Sequence, residues 1–498
     1  MEQIELVRRA AQHGERIALC KEGSTWTFDD LLQRSSEVAA SLLDGKSDLK
    51  QAHVGYLLPS GFDYVATQWG IWRAGGVTVP LSQSATESEL EYAIKDSESR
   101  VIVTDREGRD KLSRLGERLD IRLTVMEEIE ADAEVSLPSI GPERRAMILY
   151  TSGTTSKPKG VVTTHANLAA QIEALVNAWE WQPDDRIPLF LPLHHIHGIV
   201  NVLSCALWSG ANVEMFPQFD VEQILRQVAA GRYTLFMAVP TIYVKLIQTL
   251  NELPAEQREA TLRGFANMRL MVSGSAALPA RVHDAWTALT GQALLERYGM
   301  TEIGMALSNP FHGQRRPGAV GQPLPGVTIR LKDEQGNVVE GEDTPGEIQV
   351  RGPGVFLEYW QRPQATTESF DEGWFQSGDI AVLEDGYYRI MGRQSVDIIK
   401  SGGYKLSALE IESVLLDHDS VAQCAVVGLP DETWGESVAA AVVLSPKTEL
   451  SLSELKQWSR DRMSPYKIPK QLLVVESLPR NAMGKIQKPA VVGLFEGE

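Results

Sequence analysis

Cysteine is scarce in this chain of 498 residues: only Cys20, Cys205 and Cys424 occur. They lie far apart, in no CxxC or zinc-like spacing, so reduced thiols are expected rather than a disulfide framework or a metal knot. Positive charge is also short. Lys and Arg number 48 against 66 Asp and Glu, a net charge of −18. A field of that sign repels phosphate backbones and anionic membrane surfaces, so nucleic acid is not an expected partner. Small anions would need local positive charge to bind. Long apolar runs are missing too: none reaches the ~18 residues of a membrane helix, and no membrane span is expected. The richest stretch, 199–213, is broken by Asn201, Ser204, Ser209 and Gly210 and reads as a buried helix and turn. The opening Met1-Glu2-Gln3-Ile4-Glu5-Leu6 is acidic where a secretion signal is basic, and it lacks the Arg/Ser bias of a transit peptide. The expected location is cytoplasmic.

What is present is a long alternation of strand-like and helix-like segments. Val101 to Val103, Met147 to Tyr150, Leu189 to Leu191, Leu235 to Val239 and Leu270 to Val272 read as buried strands. Asn167 to Ala178 and Glu222 to Ala230 read as helices between them. Such alternation predicts an α/β fold with mainly parallel sheets, whose ligand loops lie at the carboxyl ends of the strands. After about residue 320 the texture turns to short strands and Gly/Asp/Glu turns, a β-barrel-like subdomain over about 321–392. Beyond it the order helix, strand, strand, helix, strand suits a small α+β domain. The expected division is a large domain of two parallel-rich sheets and the barrel-like part, 1–392, and a small mobile domain, 393–498.

The stretch Thr151-Ser152-Gly153-Thr154-Thr155-Ser156-Lys157-Pro158-Lys159-Gly160 leaves an apolar strand carrying glycines, hydroxyls and two lysines. Backbone N–H groups and hydroxyls can surround phosphate oxygens while lysines supply charge. It is not a Walker A loop, because no Gly-Lys-Ser/Thr closes it. On these residues the chain resembles the adenylate-forming superfamily of acyl-CoA synthetases, peptide-synthetase adenylation domains and luciferases. The resemblance covers essentially the whole chain, and further motifs follow in the family's order. It implies ATP, Mg²⁺, coenzyme A and a small carboxylic acid as ligands.

Residue by residue, the resemblance gives Thr151, Ser152, Gly153, Thr154, Thr155 and Lys159 the β- and γ-phosphates, and Ser273, Gly274, Ser275 and Ala276 the plane of the adenine. Tyr298, Gly299, Met300, Thr301 and Glu302 match the motif for adenine stacking, a phosphate contact and the metal; Glu302 is a hard oxygen suited to Mg²⁺. Asp379, in Trp374-Phe375-Gln376-Ser377-Gly378-Asp379, matches the residue for both ribose hydroxyls, and Arg393 a second ribose contact. Lys485, in Pro479-Arg480-Asn481-Ala482-Met483-Gly484-Lys485, matches the adenylation lysine, a point charge able to bridge the attacking carboxylate and the α-phosphate. Gly402 and Gly403 match the lining of the pantetheine tunnel. A small-domain rotation between the two half-reactions is implied, with the pivot two residues after Arg393; that position is usually Asp or Lys but here is Ser395. His195, in Pro192-Leu193-His194-His195-Ile196-His197-Gly198, falls on the acyl-pocket gate. On a strand, His195 and His197 would share a face, which also invites a metal, although no Cys or carboxylate cluster nearby completes four ligands.

Arg297 precedes Tyr298 directly. Near an acyl pocket, an unpaired guanidinium is costly unless an anion pairs with it, and a second carboxylate on the substrate could do so; a protein carboxylate such as Glu296, or solvent, could also face it. The phrases Glu296 to Met305, Arg316-Pro317-Gly318 and Ser395 to Lys405 look like malonyl-/methylmalonyl-CoA synthetases. Malonate or methylmalonate is therefore the expected acid. A fatty acyl-CoA synthetase, a stand-alone enzyme loading a carrier protein and a non-catalytic nucleotide sensor are the alternatives. Nothing in the residues speaks to oligomeric state.

Overall fold

The computed structural model describes residues 4–130, 136–151, 157–402, 404–480 and 486–495. Among these residues the chain forms five sheets flanked by helices. The largest has parallel strands His53–Leu57, Val77–Pro80, Val101–Thr104 and Arg122–Val125 at its centre and one edge. Arg145–Thr151 joins it parallel and Lys159–Thr164 folds back on that strand antiparallel. A second sheet sets Leu235–Ala238, Leu270–Ser273 and Leu295–Met300 parallel, then adds Gly304–Ser308 antiparallel. A smaller sheet joins Ile17–Lys21, Asn212–Met215 and Arg186–Leu189 in parallel. Both faces of such strands are covered, so they read as continuous apolar runs rather than alternations.

The helices start where short polar side chains can satisfy free backbone N–H groups. Thr27, Thr86, Thr164 and Ser451 each accept from the third residue inward and receive its side chain in return. The main core joins the sheets through large buried side chains, Trp69, Trp72, Trp179 and Trp286 among them.

Residues 328–393 form the expected antiparallel sheet: Thr328–Lys332, Gly346–Arg351, Trp374–Glu384 and Tyr387–Arg393. The chain then leaves that sheet at Arg393 and enters another at Ile398. This last sheet contains Ile398–Ser401, Tyr404–Ser407, Val421–Asp431, Gly435–Leu444 and Gln471–Val474 and has its own two core clusters.

Three readings need correction. Phe190 and Leu191 lie beyond their strand, which ends at Leu189 opposite Met215, the last residue of its neighbour. The histidine segment is not a strand. His195 sits in a turn, and His197 opens the π-helical stretch His197–Ser204, which continues as the helix Cys205–Ser209. His195 and His197 therefore do not share a strand face. The hairpin strands Ile398–Ser401 and Tyr404–Ser407 and the helix Lys488–Phe495 were not anticipated.

Candidate active site

Several of the predicted residues come together where strands end or pair. Leu295–Met300 and Gly304–Ser308 form a hairpin whose tight link, 301–303, carries Thr301 and Glu302. The backbone is pressed here: a Cβ on Gly299 would stand 2.1 Å from the Gly304 carbonyl oxygen. Glu302 is buried, and its Oε1 accepts from the Tyr359 hydroxyl at 2.9 Å. Burial raises its pKa, opposed by that hydrogen bond and by the charges of Arg393 and Lys159. The Lys159 ammonium lies 4.7 Å over the Tyr359 ring. Tyr359 thus joins the lysine of the Thr/Gly loop to the carboxylate of the hairpin. Thr151 and Lys159 are paired across their own hairpin; Ser152, Gly153, Thr154 and Thr155 lie outside the described residues.

A second group forms where strands Trp374–Glu384 and Tyr387–Arg393 pair Asp379 with Arg393. The Arg393 Nε donates to Asp379 Oδ1 at 3.1 Å, and the Tyr298 hydroxyl donates to Oδ2 at 2.6 Å. Ser377 fixes the approach, its hydroxyl accepting from the Asp379 N–H at 3.1 Å and donating to the Ile348 carbonyl at 2.7 Å. Asp379 keeps lone pairs beyond these two bonds, as a carboxylate can accept about four. With Tyr298 and Gly299 beside it, it can take a pair of vicinal hydroxyls next to a flat base.

The third group is the most unusual electrostatically. Strand Leu270–Ser273 ends in Gly274, Ser275 and Ala276; Gly274 is buried, the next two exposed. A Cβ on Gly274 would meet the Arg297 guanidinium carbon at 2.4 Å, so the guanidinium lies flat against bare backbone. Ser275 holds φ +69°, left-handed and costly for a non-glycine residue. Its hydroxyl meets His197 Nδ1 at 3.0 Å and the Arg297 guanidinium at 3.5 Å. Arg297 is 4% exposed and its Nε has no partner among the described residues; neither have Ser273 Oγ, His197 Nε2, or Asn201 Oδ1 and Nδ2. Burial lowers the Arg297 pKa to about 10, so it is still a cation at neutral pH. Burial pushes the neighbouring Glu296 up to about 8; its Oε1 accepts from the Leu278 N–H at 2.8 Å. Burial, with Arg297 and His195 adding, holds the His197 pKa well down, leaving a neutral ring. The result is a buried cation with a nearly neutral surround, which is a place for an anion. His195 is half-buried, its ring against that of His194 at 4.2 Å between centroids.

Gly402 lies against Trp434, where a Cβ would meet the indole at 2.6 Å. Gly403 and Lys485 lie outside the described residues.

The sequence profile of the AMP-binding enzymes matches residues 6–360, and that of their C-terminal domain matches residues 410–485. The chain belongs to the AMP-binding enzyme family. Within the family it is 45% identical to the mitochondrial malonate–CoA ligase of Mus musculus, covering 96% of this chain and 88% of that protein. It is 29% identical to the long-chain-fatty-acid–CoA ligase of Bacillus subtilis, over 97% and 92%. ATP-bound MatB from Rhodopseudomonas palustris superposes with a TM-score of 0.90 at 33% identity, covering 99% of both chains. The apo form of that enzyme superposes at 0.81 with the same identity and coverage.

Sequence reasoning missed Tyr359, Ser377 and His197 as parts of the site. Tyr359 sits on a two-residue strand, Glu358–Tyr359, with no motif around it. His197 was in view, but only its position relative to Ser275 separates it from His194 and His195.

Proposed function

We propose that this enzyme is an ATP-dependent malonate–CoA ligase that forms malonyl-AMP, releases pyrophosphate and then passes the malonyl group to coenzyme A. The observation that carries the choice of acid is the buried Arg297 cation with an unpartnered Nε, backed by bare backbone at Gly274 and faced by Ser275 and neutral His197. A second carboxylate, one methylene away from the reacting one, would occupy that place and accept a bidentate bond. The same orphaned polar atoms argue against a fatty-acid tunnel, because an alkyl chain would leave every one of them unpaired. The mouse relative's name and the MatB structures support the reading. The compartment is separate: relatives are named as mitochondrial, and a cytoplasmic location for this chain is tested by cell fractionation.

The proposed roles come from the resemblance, supported for the described residues by the contacts above. Tyr298 and Gly274 flank the adenine, and Asp379, oriented by Arg393 and Tyr298, accepts both ribose hydroxyls. Thr151 and Lys159, with Ser152, Gly153, Thr154 and Thr155, hold the β- and γ-phosphates. Glu302, steadied by Tyr359, and Thr301 are the residues to hold Mg²⁺, whose charge when bound offsets that of the phosphates; a buried hard carboxylate fits it. Lys485 neutralises the charge that grows between the attacking oxygen and the α-phosphate. Arg297 fixes the distal carboxylate, so the proximal one is aimed in line, and this positioning supplies much of the acceleration. In the second step the small domain, 393–498, rotates against the large one, 1–392, and the face bearing Gly402 and Gly403 admits the thiol. His195, beside His197, gates the acyl pocket.

CoA-dependent AMP release across malonate, methylmalonate, acetate, butyrate and palmitate tests the reading, with malonate expected fastest. Arg297→Ala should raise the malonate KM by roughly a hundredfold or more, the loss of a buried charge-assisted bond, while butyrate turnover changes little. Equal losses with both acids would overturn the assignment of Arg297.

A further inference from the structure

Residues 394–397 are the covalent link between the sheet that ends at Arg393 and the sheet that begins at Ile398. One side chain closes this link on itself. Asp397 Oδ2 accepts the backbone N–H of Arg393 at 2.9 Å, spanning Ser395. Its Oδ1 lies 2.6 Å from the Lys488 ammonium, which also stands 2.8 Å from Glu412 Oε1. All three side chains are largely shielded from solvent, at 10% exposure for Lys488 and 14% for each carboxylate. Burial alone would lower the Lys488 pKa, but Glu412 and Asp397 more than offset it, so the group stays an ammonium. Asp397 also packs on Gly392, whose φ is +127° and whose Cβ would stand 2.3 Å from that of Asp397. Its carbonyl accepts from Ala408 at 2.8 Å. Asp397 therefore touches the end of one sheet, the start of the next, and the first residue of the helix Lys488–Phe495, which follows Lys485 by three positions.

The contact also reaches the nucleotide site, because the same Arg393 whose N–H it holds donates its guanidinium to Asp379. Meanwhile the face carrying Gly402 is turned to solvent: Tyr404 is 54% exposed and Trp434 49%. In this arrangement those described residues of the thiol-admitting face are open to solvent. A rotation about Ser395 must change the distance from the Arg393 N–H to the Asp397 carboxylate.

We propose that Asp397, anchored by Lys488, is a latch across the inter-sheet link that holds the chain in the arrangement used for adenylation; it is a positioning residue for the first half-reaction. This rests on the two-step reading above. It differs from a general stabilising ion pair in one consequence: loss of the latch acts on one half-reaction and spares the other.

The test uses the full-length enzyme and two assays, pyrophosphate exchange into ATP and thioester formation from supplied malonyl-adenylate. Lys488→Met would strand two buried carboxylates and risk the fold, so the decisive variant is Asp397→Ala, which leaves Lys488 paired with Glu412. Its exchange kcat is expected to fall roughly tenfold, as for a lost hydrogen bond to a charged group, with the ATP KM and the thioester step within about twofold of the parent. Asp397→Asn, which keeps an oxygen for the Arg393 N–H, should fall less. Glu412→Gln, which leaves both Asp397 contacts in place, should lower the melting temperature without separating the two assays. Equal loss in both assays for Asp397→Ala, no loss in either, or the same separation from Glu412→Gln would each overturn the latch. Lys485→Ala run alongside keeps the parent reading distinct: if it leaves exchange intact, the two-step assignment fails on its own account.

Discussion

Glu296 and Arg297 are adjacent residues on one strand, both buried, and burial acts on them in opposite directions. A glutamate whose folded pKa is about 8 keeps its proton where the unfolded chain has already released it. Between the ordinary carboxylate range and pH 8 the native state therefore binds more protons, and stability falls as pH rises. Glu296→Gln removes this dependence. Melting temperatures from pH 5 to 8 should be flatter for the variant than for the parent. At pH 8 the variant should be the more stable, on the order of a few kcal/mol. Arg297, with a pKa of about 10, stays charged throughout that range, so malonate KM should be steady until Glu296 ionises near pH 8 and sets a competing anion beside it. The residue types at these positions were legible in the sequence. Their state was not, because it depends on Gly274, Ser275 and His197 arriving from two other segments.

At the scale of elements, the hairpin of Arg145–Thr151 and Lys159–Thr164 is held at its loop end by Asp96. Its Oδ2 accepts from the Tyr150 hydroxyl at 3.0 Å and its Oδ1 from Arg362 at 2.6 Å. Tyr92, four residues earlier on the same helix, donates to the Pro158 carbonyl at 2.6 Å. Asp96→Asn weakens the ion pair while leaving the strands paired. It should raise the ATP KM several-fold, through a shifted Lys159, with the malonate KM little changed; initial rates at fixed second substrate check it. Strands that are apolar runs, such as Val101–Thr104 and Leu270–Ser273, were readable because burial on both faces leaves no other composition. The histidine segment invited a metal only on the supposition of a strand, and it is a turn leading into a π-helical stretch. Its alternation mimics a strand, and only the packing of Ile199, Val200 and Leu203 into the main core selects a helical turn. The hairpin of Ile398–Ser401 and Tyr404–Ser407 has its own signal in the sequence, two glycines between short strands, but the resemblance had already assigned those glycines to the pantetheine tunnel.

For the whole molecule, the core is divided. The clusters around Ile399, Leu415 and Val426 and around Ala425, Leu429 and Val491 belong to the last sheet alone. Across the 394–397 link the shared apolar packing is Ile380, Val382, Met391 and Ile398. Cores joined so sparingly unfold separately as a rule. Calorimetry is expected to show two transitions, the smaller from the residues after 397, and MgATP with malonate should raise the larger one more. The acidic net charge sets the expectation that polyanions are poor partners. It could not tell where the local cations stand, since Lys159, Arg393 and Arg297 gather only by folding.

The guanidinium lying flat on Gly274 makes acid choice and backbone bareness a single heritable unit. Neither residue can be exchanged alone with profit, since any side chain at 274 evicts the arginine, and losing the arginine leaves a void against naked peptide. A redesign toward uncharged acids should change the two together, for example Gly274→Ala with Arg297→Met.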